Sequence, residues 1–414
     1  MKKQLALSTL VSALCLDAQA TYLTNYGEPN TDKLVQALNN QQVHIVQLGD
    51  SHTAGDSMTD ALRSSLQSHY GNGGMGWAMP MYFSGQRMAR FGYDNYQWTP
   101  VSSRRTTSED YTLGGLIAKP NGAGSTLTIK SKRNEPTQNI IVSIKQGAYD
   151  GVLSGVDADG NRFTLEAPIK NGTWQTTKIH AKLPFTITAN GTMSDTAIGG
   201  WWAFNANGTG ATVSSLGING AELSHWSRWN MTAWQNELAT VAPNLIILAY
   251  GTNEAYNSVE PERVRQVLTE RIAQIRKASP NSAIMIVSSP EALKNTAGSC
   301  GTRPSKLSDI QEVQRQTAQS LQTLFWDWQG AMGGSCSMKG WINSGKASKD
   351  GVHFTHSGYT QLGNLMADDI ISLSSGTGYQ PSSFYQPSNT YQPNSHYPTV
   401  NGTLNDQSSI RIVR

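Results

Sequence analysis

Charge is scarce in this chain: only 15% of the 414 residues are charged, and the two signs nearly cancel to a formal net charge of +3. There is no long charge run and no coiled-coil pattern. Without clustered Lys and Arg there is no electrostatic case for holding a phosphate backbone, so nucleic acid is not expected as a partner. Long apolar runs are also missing near the start. Leu5 to Leu16 is shorter than the roughly 20 residues a bilayer-spanning helix needs, so no transmembrane segment is expected in the mature chain. Cysteine is rarer still, with Cys15, Cys300 and Cys336 the only three.

What the first stretch does contain is an export pattern. Met1-Lys2-Lys3 is a basic start, Leu5 to Leu16 is apolar over signal-peptide length, and Ala18-Gln19-Ala20 offers small residues for cleavage. Bulky Leu14 stands where lipidation of Cys15 wants a small residue, which favours cleavage after Ala20 and a periplasmic location. Cleavage takes away Lys2, Lys3 and Asp17 and leaves a charge of +2. It also removes Cys15. An oxidising compartment with two remaining cysteines points to a Cys300–Cys336 disulfide, with two buried free thiols as the alternative.

At 38% hydrophobic, the chain can bury a core, and its length suits two domains plus tails. Val43 to Leu48, Leu245 to Ala249 and Ala283 to Val287 read as buried parallel strands. Helical periodicity falls at Asp56 to His69, Glu260 to Lys277, Ser308 to Gln322 and His356 to Ser372. This alternation predicts an α/β fold, a parallel sheet between layers of helices. It breaks between about 95 and 210. There, short alternating runs (Thr126 to Lys130, Ile140 to Lys145, Thr176 to His180, Pro184 to Thr188) are separated by turn clusters, as in a β-sandwich or barrel. The expected plan is therefore a signal over 1–20, an α/β part over 21–94, a β-rich insert over 95–210, the α/β part again over 211–375, and a tail over 376–414. That tail repeats Tyr-Gln-Pro at 379, 385 and 391 in a Ser/Asn-rich background and is expected to be extended or disordered.

Four short motifs carry the chemistry. In Leu48-Gly49-Asp50-Ser51-His52, a strand ends in a glycine turn that lifts Ser51 to the sheet edge where open α/β folds bind ligands. Its N–H lies at a helix start, where a developing negative charge is favoured; the plainer use of such a serine is a helix cap. In Asp350-Gly351-Val352-His353, a carboxylate three residues before a histidine can fix the ring through Nδ1 and free Nε2 as a general base. Taken alone, that turn reads as an exposed polar loop. Gly217-Ile218-Asn219-Gly220-Ala221 and Gly251-Thr252-Asn253-Glu254 each follow a strand-like run, and Gly220 N–H and the Asn253 amide are suitable oxyanion donors.

Together these four blocks resemble the SGNH (GDSL-type) serine hydrolases. The resemblance implies Ser51 as nucleophile, His353 as base and Asp350 as its orienter. It also implies an oxyanion hole of Ser51 N–H, Gly220 N–H and the Asn253 side chain, and no metal or cofactor. Glu254 stands where that family usually has an aspartate, which bears on loop packing more than on chemistry. The longer run Val46 to Asp56, Gly71-Asn72-Gly73-Gly74-Met75-Gly76-Trp77, and Trp226 and Trp229 after the Gly220 block look like O-acetylpeptidoglycan esterases of Gram-negative bacteria, over roughly residues 35 to 372. Those enzymes also carry a carbohydrate-module-like β insert. O-acetylated peptidoglycan is the substrate so implied, with acetyl leaving the muramoyl C6 hydroxyl by way of an acetyl-serine. Trp77, Tyr82, Trp226 and Trp229 could then face the glycan or simply pack in the core.

Three other readings compete. Asp50-Ser51-His52 with Asp56 could be a metallophosphatase pair, but Asn253 is followed by Glu254 rather than His. An O-acetyltransferase would use the same triad with a sugar hydroxyl as acceptor. A non-catalytic wall-binding protein could retain the fold alone.

Overall fold

Eight residues, Gln42–Gly49, form an inner strand of a six-stranded sheet, and all but the first are buried. A strand buried on both faces needs apolar residues of both parities, and this one has them. Val43 and Ile45 pack into one hydrophobic cluster, Val46 and Leu48 into another. The same split divides Ile246 and Leu248 from Leu245 and Ile247 in the neighbouring strand Leu245–Ala249. The computed structural model describes residues 21–375. The expected export signal with Cys15, and the Tyr-Gln-Pro tail, lie outside the described residues.

The sheet has six strands in the order Leu23–Asn25, Leu324–Trp326, Ala283–Val287, Leu245–Ala249, Gln42–Gly49, Gly210–Gly217. It is parallel throughout except for the antiparallel edge strand Leu23–Asn25. One face is covered by Thr31–Asn39, Ser57–Tyr70 and His356–Ser372, through residues such as Leu34, Leu62, Leu66, Leu362 and Met366. Met231–Val241, Pro261–Ala278 and Leu307–Ser320 cover the other, through Trp234, Leu238, Leu268, Ile272 and Val313. The α/β part is thus a three-layer arrangement with a mixed sheet, as the resemblance to SGNH hydrolases implies.

Between Phe91 and Asn205 there are ten strands and no helix. They pair antiparallel in two sheets, and Phe185 of one meets Trp201 of the other at 5.3 Å between ring centroids. Two strands that contribute begin before residue 95. Phe91–Tyr96 is the edge of one sheet, and Gly76–Ala78 pairs with Ala197–Asn205 in the other. The β-rich stretch is also not a separate core. Leu127, Ile144 and Trp201 belong to the same hydrophobic cluster as Val46, Leu48 and Trp234.

Cys300 and Cys336 form a disulfide across a separation of 36 residues. Cys336 N–H donates to Glu291 Oε1 at 3.1 Å, and Arg303 pairs with that buried carboxylate at 2.7 Å. This loop leads to Leu293, whose N–H donates to Gly351 O at 2.8 Å. Closing a loop of this length contributes roughly 3–4 kcal/mol by chain-entropy arguments. Replacing both cysteines by serine is expected to lower the denaturant midpoint of unfolding by a corresponding amount. A midpoint equal to the parent's contradicts this.

Candidate active site

The strand Gln42–Gly49 runs directly into a helical turn, Ser51–Ala54, capped by Asp50, whose side chain accepts from His52 N–H at 3.0 Å. Space dictates the glycine before it. A Cβ at position 49 would overlap Thr53 Oγ1 and lie 2.7 Å from Ala249 O. Thr53 is held in turn, its hydroxyl accepting from Gln47 Nε2 at 2.9 Å and its carbonyl from Ser215 Oγ at 2.8 Å. Ser51 therefore sits at the carboxyl edge of the sheet, first in a helical turn, where its N–H has no intrahelical acceptor.

Its hydroxyl lies 2.9 Å from His353 Nε2, although 302 residues separate the two. Nδ1 of the same ring is 2.7 Å from Asp350 Oδ2. Asp350 Oδ1 accepts from the N–H groups of Val352 at 2.8 Å and His353 at 2.9 Å. A carboxylate at Nδ1 fixes the proton there and leaves the Nε2 lone pair facing the serine hydroxyl. Burial by itself would raise the Asp350 carboxyl. The His353 ring and the two backbone donors outweigh it and hold the group below its ordinary range. Gly351, at φ +74°, makes the tight turn between acid and base.

Gly220 is also left-handed, at φ +69°, and its N–H meets no acceptor among the described residues. Its carbonyl accepts from Arg104 Nε at 2.7 Å, which fixes the turn from the β-rich stretch. Asn253 follows Gly251 at the start of a short helix, Thr252–Tyr256. Its amide nitrogen donates to Ala221 O at 3.0 Å and, more loosely, to Asp50 Oδ2 at 3.4 Å. So Ser51, His353 and Asp350 form one hydrogen-bonded chain. Asn253 reaches the residues beside Ser51 and Gly220 rather than Ser51 itself.

Asp50 and His52, weighed from sequence only as a metal pair, stand beside the triad. Asp50 is fully buried, and desolvation pushes its carboxyl up to about 7 against the opposing pull of the His52 N–H and of His353. Burial likewise holds the His52 ring down to about 3, with a smaller contribution from His353, so no second cation forms beside the base. The His52 ring centroid is 5.3 Å from that of His353, and its Nδ1 meets the Tyr359 hydroxyl at 2.8 Å. Of the four aromatics noted earlier, Trp77, Trp226 and Trp229 are core residues, the last two stacked at 4.7 Å, while Tyr82 is 53% exposed. Only composition hinted at this, since a buried and an exposed ring look alike in a sequence.

Glu254 is buried too. Its Oε1 accepts from Leu223 N–H at 2.8 Å, its Oε2 has no partner among the described residues, and desolvation pushes the carboxyl up to about 8. Between the ordinary carboxylate value and about 8, the unfolded chain releases a proton that the folded chain keeps. The stability present below that window is therefore lost as pH rises through it. Glu254→Gln keeps the Oε1 acceptor and has no proton to lose. Its melting temperature is expected to rise relative to the parent's as pH goes from about 5 to about 8; a pH-independent difference contradicts this.

Comparison with known proteins agrees with this geometry. The family described as "Peptidoglycan O-acetylesterase, N-terminal" matches residues 73–186, and the GDSL-like lipase/acylhydrolase family matches residues 186–361. No curated protein matches. Among solved structures, a peptidoglycan O-acetylesterase is 39% identical, with a TM-score of 0.78, covering 86% of this chain and 100% of its own. A putative GDSL-like lipase from Parabacteroides merdae is 16% identical, with a TM-score of 0.32, covering 39% of this chain and 74% of its own. Identity at that level over nearly the whole described chain, with the Ser51 to Asp350 chain of hydrogen bonds in place, makes this protein a carboxylic ester hydrolase and a member of the peptidoglycan O-acetylesterase family.

Proposed function

We propose that Ser51, His353 and Asp350 remove acetyl groups from the muramoyl C6 hydroxyl of peptidoglycan by two-step acyl transfer. The observation that carries the reading is the 2.9 Å contact between His353 Nε2 and Ser51 Oγ while Asp350 occupies Nδ1 at 2.7 Å. His353 Nε2 takes the serine proton as Oγ attacks the acetyl carbonyl. The tetrahedral oxyanion is met by the N–H groups of Ser51 and Gly220 and by the Asn253 amide, which gives up its longer bond to Asp50. Collapse breaks the bond to the sugar oxygen, which leaves with the proton from His353. Water, deprotonated by the same nitrogen, then attacks the acetyl-serine and releases acetate.

The domain plan follows the same reading: an esterase part over 21–94 and 211–375, and a β-rich insert over 95–210, its sheets joined by the earlier strands Gly76–Ala78 and Phe91–Tyr96, that acts as a carbohydrate-binding module. Support for the module is its antiparallel two-sheet form, an argument from fold alone. A wall substrate and the export pattern at residues 1–20 both favour the periplasm.

Ser51→Ala is expected to release acetate from O-acetylated peptidoglycan at least about a thousandfold more slowly than the parent, the scale seen when a triad member is lost. Offering a de-acetylated glycan as acceptor separates esterase from transferase: free acetate should dominate over acetyl-glycan. Parent-like acetate release by the variant removes the mechanism. Predominant transfer removes the hydrolase assignment and keeps the triad.

A further inference from the structure

A cleft of about 570 Å³ opens beside the helices Ser57–Tyr70 and His356–Ser372, and no step of the acyl transfer uses it. We infer that it binds the acidic peptide that a muramoyl residue carries, so that the enzyme reads the stem as well as the sugar. The inference rests on the peptidoglycan substrate proposed above. Gly55 and His356 line the cleft, four residues after Ser51 and three after His353 respectively, so its near end adjoins the segments that carry these two side chains. The helices Ser57–Tyr70 and His356–Ser372 form one wall. Residues 87–89 and 91–93, and 132–133 after the strand Thr126–Ser131, form the other.

Charge identifies the ligand. Asp60 is the one carboxylate on the lining, and it is already engaged by Arg63 at 2.8 Å and Arg90 at 2.7 Å. Arg63 also pairs with buried Asp56 at 3.0 Å, so these two acids balance these two arginines. Arg87, Lys132 and Arg133 are then left as surplus on the lining. Arg87 is exposed and forms no ion pair among the described residues. Lys132 Nζ donates to a carbonyl, Met88 O, at 2.8 Å, which leaves its charge uncompensated. Arg133 is 51% exposed and reaches Asp60 only at 3.5 Å.

Guanidinium groups hold carboxylates through paired, charge-assisted hydrogen bonds, whereas a neutral glycan gives three surplus cations nothing to neutralise. The remaining floor, with Met79, Met88 and Phe91, is apolar and suits small aliphatic side chains of a peptide. Carboxylates could come from the peptide or, where the peptide has been removed, from the freed lactyl group. The peptide fits better, because three separated cations along a cleft of this size outnumber the single charge on a lactyl group.

The test compares two substrates with the full-length protein: O-acetylated glycan strands bearing their peptides, and the same strands stripped by an amidase, which hydrolyses the lactyl amide and frees the lactyl carboxylate. The parent is expected to show a kcat/KM for acetate release about tenfold higher on peptide-bearing strands, the scale of one charge-assisted contact. Arg87→Glu combined with Arg133→Glu should bring that ratio close to one, chiefly through KM, and Arg87→Lys should retain it. A parent ratio of one overturns the inference, as does an equal loss on both substrates in the double variant. So does a preference for stripped strands, which would assign the cations to the lactyl group. If the parent releases no acetate from either strand while hydrolysing a small acetyl ester, the peptidoglycan reading itself has failed, a result distinct from a lost preference.

Discussion

The hydrogen bond between Ser51 Oγ and His353 Nε2 joins positions 302 residues apart, and both ends are held by rigid structure. On the serine side, Gly49 closes the strand Gln42–Gly49, and the turn after it packs between Ala249 and Ser215 of the flanking strands. On the histidine side, the Asp350–His353 turn is fastened by Leu293 N–H to Gly351 O, and the Tyr256 hydroxyl donates to Leu293 O at 2.6 Å. The disulfide and the Arg303–Glu291 pair hold the loop that delivers Leu293. A base that must meet a hydroxyl within hydrogen-bond reach cannot be left on a free loop, because an ångström of drift is enough to lose the contact.

The β-rich stretch does more than extend the molecule. It shares one hydrophobic cluster with a face of the parallel sheet. It also reaches the Gly220 turn, where Arg104 donates to Gly220 O. Arg228 donates back to the carbonyl of Ser103 at 2.7 Å, and Trp229 Nε1 to Ser103 Oγ at 3.0 Å. These ties make the geometry of the Gly220 N–H depend on a segment remote in sequence.

Much of the α/β part was legible from periodicity. The strands at 245–249 and 283–287 and the helix at 356–372 coincide with their patterns, because their burial is uniform or one-sided over enough residues to register. The helices Thr31–Asn39 and Met231–Val241 and the strand Gly76–Ala78 were not foreseen. The first two are short and mix polar with apolar residues, and the strand exists only because Ala197–Asn205 pairs with it. At the site, local relations were readable: a carboxylate three residues before a histidine can close a turn within one motif. Relations across the chain were not. In sequence, Asp50 reads as one of a metal pair and Glu254 as a departure bearing on loop packing, and the burial of both carboxylates follows only from the folded loops around them. The Asn253 amide was expected to face the oxyanion, and its bonds to Ala221 O and Asp50 Oδ2 depend on the folded loops.

The account stands on Ser51 being the activated hydroxyl and His353 its base. The most direct measurement is covalent labelling with a sulfonyl fluoride followed by peptide mass spectrometry, in the parent chain and in His353→Ala. The account predicts a single adduct on the peptide carrying Ser51, formed rapidly by the parent and at a rate lower by orders of magnitude in the variant. An adduct on a different serine, or equal labelling of Ser51 in both chains, would contradict it.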